Sequence, residues 1–164
     1  MLDRDAIPVL RELKSRGYRI GLVSNWDGTL ATMCNELGLA EYIDYIGDST
    51  VFGQAKPSPA FCLHVLDRLG VPPDAAFHVE DDYDADVEGA RASNITPILV
   101  DVFEHEDRSC EYCARGLRDV LELAEAIDRQ LVGGVSGTPA DGAECGVGLA
   151  RARKQSDADS EECQ

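Results

Sequence analysis

Positive charge is scarce in this sequence. Fifteen Lys and Arg stand against 31 Asp and Glu, a formal charge of −16 over 164 residues, and the only lysines are Lys14, Lys56 and Lys154. With a pI near 4.4, the chain lacks the clustered cations that phosphate backbones demand, so nucleic acid is not an expected partner. No apolar run approaches the ~20 residues that cross a bilayer, so no membrane association is expected either. Met1-Leu2-Asp3-Arg4-Asp5 has no resemblance to a secretory leader, and a cytoplasmic location is the expectation. Without a secretory route, disulfides are not the default for the six cysteines at 34, 62, 110, 113, 145 and 163. What is present is an ordinary globular composition, 44% hydrophobic and 28% charged, in a length that suits one domain.

Hydrophobic periodicity divides that length into alternating elements. Ile7, Leu10 and Leu13 recur at helical spacing and stop at Gly17, a natural residue just past a helix end. Tyr18 to Ser24 reads as a buried parallel strand. A second helix carries Leu30, Met33, Cys34 and Leu37 and stops at Gly38; Tyr45-Ile46 is a short strand. Ser58-Pro59 combines a capping hydroxyl with proline in the first helical turn, and the helix it opens buries Phe61, Val65, Leu66 and Leu69 before Gly70. Phe77-His78-Val79 is a strand, Val87 and Ala90 belong to a helix, Pro97 to Val100 form another strand, and the last helix spans about 117–131. Strands separated by helices predict an α/β fold of Rossmann-like type, three layers with a parallel sheet covered on both faces. From Gly133 the chain turns to Gly, Ser, Ala, Asp and Glu. The expected organisation is a folded region over 1–131 and a disordered acidic, Gly-rich tail over 132–164.

Three polar spots follow strand candidates, where ligands bind in an open α/β sheet: Ser24-Asn25, Lys56 in Gly53 through Pro59, and Glu80 through Asp86. Taken singly, each has a structural reading: a strand end, a solvated loop lysine, and an acidic helix start favoured by the macrodipole. Taken in order, they suit phosphoryl chemistry. A hydroxyl and an ammonium match a phosphoryl group's charge and acceptor oxygens, and carboxylates beside them call for a hard divalent cation such as Mg²⁺.

Those same stretches carry a family resemblance. Gly21-Leu22-Val23-Ser24-Asn25, Gly53 through Pro59, and His78-Val79-Glu80-Asp81 through Asp86-Val87-Glu88-Gly89-Ala90 are similar to the second, third and fourth motifs of the haloacid dehalogenase-like (HAD) hydrolases. About residues 7–101 resemble the C-terminal part of that core domain. The resemblance implies a Mg²⁺-dependent, phosphatase-type hydrolase acting on a small phosphorylated molecule. It implies that Ser24, with Asn25 beside it, binds the phosphoryl group, and that Lys56 binds it too and serves catalysis by neutralising charge. It implies metal ligation by Asp81 with Asp86 in support. The chain departs from the pattern in two ways. The family's first motif, a strand ending Asp-x-Asp that supplies the nucleophile, is not found ahead of these motifs, nor is the substrate-selecting cap. The expectation is therefore a truncated core, inactive alone, whose strands near 19–23 and 77–79 lack the strand that separates them in the family; the alternative is a vestigial binding domain. The second departure is Glu80, where the family usually has glycine.

Two other features compete for attention. Asn25-Trp26-Asp27-Gly28-Thr29-Leu30 mimics the first motif with an amide in the nucleophile's place, and an amide cannot form an acyl phosphate. Cys110-Glu111-Tyr112-Cys113 with His105 nearby lacks the second ligand pair of a structural zinc site and reads as two free thiols in a polar loop. His64 and His78 read as helix-surface and strand residues. Substrate identity and oligomeric state are open at this level.

Overall fold

The computed structural model describes residues 2–81, 87–102 and 110–133. The elements run α1 (Ala6–Ser15), β1 (Gly21–Ser24), α2 (Leu30–Glu36), β2 (Tyr45–Asp48), α3 (Ser49–Phe52), α4 (Pro59–Leu69), β3 (Phe77–Glu80), α5 (Glu88–Ala92), β4 (Thr96–Val100), β5 (Cys113–Ala114) and α6 (Val120–Gly133). Strand β1 pairs in parallel with β2, and β3, β4 and β5 form a second parallel set in that order. The fold is Rossmann-like α/β, as the alternation of strand and helix predicts. Its strands form two sheets rather than one: β1 pairs Gly21 to Ser24 with Tyr45 to Asp48, and β3 pairs Phe77 to Glu80 with Thr96 to Leu99. No helix of the described residues is long and apolar enough to cross a membrane.

Strand alternation feeds two cores. On one side Val9, Leu10 and Leu13 of α1, Leu30 and Cys34 of α2, and Val120, Ala124 and Ile127 of α6 pack with Ile20, Leu22, Phe77, Val79 and Ile98. This core spans both sheets, and Tyr18 meets Phe77 edge-on with ring centroids 5.7 Å apart. On the other side Val23 meets Phe61, Val65, Leu66 and Leu69 of α4 and Ala90 of α5. Leu22 and Val23 thus serve opposite faces. Burying each of the large aliphatic side chains contributes roughly 1.5–3 kcal/mol.

Helix α4 lies close on β1 and β2 because glycines make room. A Cβ added at Gly21 would come within 2.7 Å of Val65 and 2.9 Å of Leu69, and one added at Gly47 within 2.7 Å of Val65. The strands are thereby pressed toward α4, and their carboxyl ends are held against the loop that precedes it.

Several boundaries differ from the sequence pattern. Ser58 precedes α4 with proline following, yet its side chain makes no capping bond; its Oγ donates to Gln54 Oε1 at 3.0 Å instead. The single turn α3 and the two-residue β5 are additions. Residues Leu117–Asp119 form a 3-10 turn before α6.

Candidate functional site

In parallel strands the carboxyl ends lie on one side, and here they carry Ser24 and Glu80 as last strand residues. Between them stands Lys56. Asn25, one residue past β1, grips the Lys56 backbone with both ends of its amide: Nδ2 donates to the Lys56 carbonyl at 3.1 Å and Oδ1 accepts the Lys56 N–H at 2.8 Å. The bond between Lys56 and Pro57 is cis. From this anchor the lysine side chain runs inward, and Nζ donates to Glu80 Oε1 at 3.0 Å. His78 Nε2 lies 2.7 Å from the same oxygen. His78 and Glu80 share a face because they are two apart on β3. The side chains of Lys56 and Glu80 are 3% and 2% exposed, and Glu80 Oε2 is buried with no hydrogen-bond partner among the described residues.

This chain of contacts brings the predicted segments together. The end of β1 is joined to Lys56 through Asn25, and Lys56 is joined to the end of β3 through Glu80. Ser24 is buried beside Asn25, whereas Asp81, directly after Glu80, is exposed. The Asn25 amide positions Lys56 through one of its two Nδ2 donors and its Oδ1 acceptor. Asp86 lies outside the described residues. Among the described residues no group of three or more His, Cys, Asp or Glu side chains is arranged to hold a metal ion. An ammonium 3.0 Å from Glu80 Oε1 opposes a second positive charge on that oxygen.

Asp48 escaped the sequence reading altogether. It ends β2, is 5% exposed, and accepts from Gly28 N at 3.1 and 2.9 Å, Leu30 N at 3.3 Å and Thr50 N at 3.0 Å. One carboxylate thereby caps α3 and fixes the loop that leads from Asn25 to α2. The signal for the cap was present, since Asp before Ser-Thr is a favoured helix start; the bonds to Gly28 and Leu30 join residues 20 and 18 apart in sequence and have no local signature. Ser49 Oγ accepts from Trp26 N at 3.0 Å, and Thr50 Oγ1 donates to the Trp26 carbonyl at 2.5 Å.

The motif-like stretch at Asn25 to Leu30 is accounted for by this loop. Asp27 accepts from Thr29 Oγ1 at 2.5 Å and Thr29 N at 3.1 Å, and the threonine hydroxyl, followed by its backbone N–H, holds the Asp27 carboxyl below its ordinary range. His64 sits on α4, stacked on Phe52 with ring centroids 4.5 Å apart and hydrogen-bonded to Tyr45 OH at 3.1 Å. Cys110 and Cys113 are free thiols; burial pushes the Cys110 thiol up. His105 lies outside the described residues.

Comparison with known proteins shows the family. A family model for haloacid dehalogenase-like hydrolases matches residues 1–94. The haloacid dehalogenase-like hydrolase domain-containing protein 3 of Homo sapiens is 36% identical over 91 residues, covering 56% of this chain and 36% of that protein. A phosphoglycolate phosphatase of Aquifex aeolicus is 40% identical over 93 residues, covering 56% of this chain and 43% of that one. Among solved structures, a HAD phosphatase from Thermococcus onnurineus aligns with a TM-score of 0.70 at 27% identity, over 75% of this chain and 58% of that chain. The chain spans less than half the length of these two curated relatives.

Proposed function

Since this chain belongs to the haloacid dehalogenase-like hydrolase family, we propose that it forms the phosphate-binding part of a phosphatase-type hydrolase acting on a small phosphorylated molecule. One observation carries the reading: Lys56 is buried between the carboxyl ends of β1 and β3, its backbone held by Asn25 and its ammonium directed at the end of β3. An ammonium withdrawn from water interacts more strongly with an anion than one on the surface.

In this reading each group has one task. The Ser24 hydroxyl donates to a phosphoryl oxygen. Lys56 neutralises the charge that gathers on the phosphoryl group, and the Asn25 clamp fixes its backbone before substrate arrives. Asp48 keeps the loop after Asn25 in place. Asp81 fits a divalent cation by its chemistry, a hard carboxylate oxygen exposed at the strand end, with Asp86 as the second ligand of the proposal. Bound there, Mg²⁺ would supply further charge neutralisation to the phosphoryl oxygens. Hydrolysis in this family scheme runs through an aspartyl nucleophile from an Asp-x-Asp motif, which is not among the motifs matched here. The groups in hand stabilise phosphate without forming the covalent intermediate. A binding domain without turnover is the second reading, favoured by the occupation of Lys56 by Glu80.

Phosphorus NMR titration of residues 1–164 with inorganic phosphate, in the presence of Mg²⁺, tests the proposal. Saturable binding is expected, weakened about tenfold or more by Lys56→Met and less by Ser24→Ala. Absence of saturable binding to a chain with a native melt overturns it. Assay with an aryl phosphate separates the two readings, and turnover abolished by Asp81→Asn rules out the binding domain.

A further inference from the structure

The phosphate reading gives Lys56 an anion to receive, but its ammonium already holds one. We infer that Glu80 is a resident competitor for the phosphate site: its carboxylate occupies Lys56 until a phosphoryl oxygen displaces it, and so sets how strongly the site takes phosphate. This inference rests on the phosphate reading and deepens it.

Geometry makes the two anions alternatives. Nζ and Oε1 are 3.0 Å apart with both side chains almost wholly buried, and His78 Nε2 approaches the same oxygen at 2.7 Å. A carboxylate oxygen and a phosphoryl oxygen ask the same of an ammonium, a short charge-assisted hydrogen bond. Placing both beside Lys56 would bring two anions together in a region of little water, where their repulsion is weakly screened. One must leave.

Glu80 is also incompletely seated. Its Oε2 is buried without a partner among the described residues, so this half of the carboxylate has lost water and gains no hydrogen bond from them in exchange. An anion stranded in that way raises the free energy of the resting arrangement, and swinging the side chain toward solvent restores its hydration. The site therefore starts from a state that exchange can relieve. A glycine, the residue that the resembled motif carries here, has no side chain to compete. The effect of Glu80 is then to weaken the site for phosphate while keeping the Lys56 charge compensated when phosphate is absent.

The test compares phosphate affinity, at constant ionic strength and with Mg²⁺ present, among the unmutated 1–164 chain, Glu80→Gln and Glu80→Gly. Both variants are expected to bind phosphate about tenfold more tightly, and Lys56→Met added to Glu80→Gln is expected to remove the gain. Glutamine keeps the volume and one acceptor oxygen, which guards against misfolding of the glycine variant. A reading without any variant comes from carbon NMR of the Glu80 carboxyl in the unmutated chain, whose resonance is expected to shift on saturation with phosphate. Equal affinities in the unmutated chain and Glu80→Gln, both weakened by Lys56→Met, overturn the role of Glu80 and leave the phosphate reading standing. An unmoved Glu80 carboxyl resonance at saturation overturns it equally. If neither protein binds phosphate while both melt as native chains, the phosphate reading itself falls and takes this inference with it.

Discussion

The ends of β2 and β3 each bury a carboxylate, and the two are satisfied in opposite ways. Asp48 gathers the backbone N–H groups of Gly28, Leu30 and Thr50. Both of its oxygens are engaged, and every donor belongs to the main chain. Glu80 takes two side-chain donors, Lys56 and His78, on one oxygen, and the other is buried with no partner among the described residues. Main-chain donors cannot leave without unfolding the loop they belong to, whereas a side-chain pair can be exchanged for another anion. The contrast separates a carboxylate that shapes the site from one that is free to be replaced in it.

The largest effect should come from the shaping carboxylate. Asp48→Ala removes the acceptor shared by the N–H groups of Gly28, Leu30 and Thr50, and a cost of about 3 kcal/mol in chemical denaturation is expected, since each charged hydrogen bond is worth roughly 1.5–3 kcal/mol and the exposed donors regain water. Asp48→Asn retains one acceptor oxygen and should cost about half as much. An alanine variant that unfolds with unchanged midpoint would show that the loop is held by Ser49 and Thr50 alone.

The exchangeable carboxylate should matter less to stability. Glu80→Gln keeps an acceptor for Lys56 and His78 but takes the counter-charge from a buried ammonium. A loss of about 1–2 kcal/mol is expected, moderated by the retained hydrogen bond and read in the same denaturation experiment. A loss equal to that of Asp48→Ala would erase the distinction between the two strand ends and would make Glu80 a structural ion-pair member.

How much of this was legible follows from the range of each interaction. Gly17, Gly38 and Gly70, each with positive φ, mark helix ends that local pattern reveals, and the apolar positions of α1 and α4 are those that the 3.6-residue period picks out. The place of Ser24 at the end of β1 was legible from the apolar run that it closes. The partner of Lys56 was not: Glu80 lies 24 residues away, and nothing in its own neighbourhood says that it turns toward an ammonium rather than toward a metal. The two bonds of Asn25 to the Lys56 backbone, 31 residues on, were hidden for a similar reason, since nothing beside the amide marks so distant a partner. The break between β1 and β3 was legible only through resemblance, because each strand alone has an ordinary buried pattern. Ser58 shows the limit even of local rules: a residue in the capping position turned to Gln54 instead.

A third carboxylate, in the same loop that Asp48 organises, sharpens the comparison at its small end. Asp27 is fully exposed and takes its bonds from Thr29, two residues away. Those bonds hold its pKa below the ordinary value of 3.8, so the folded state binds the proton less readily than the unfolded chain. Its contribution is therefore complete above that ordinary value and disappears as pH falls through the lower folded value. Stability of Asp27→Asn should lie slightly and evenly below that of the unmutated chain from neutral pH down to the carboxylate range, and the two curves should converge in stronger acid. Denaturation midpoints measured across that range check the prediction. A gap that widens as acid is added would mean that the Asp27 proton is taken up on folding, the reverse of what a carboxylate accepting two hydrogen bonds should do.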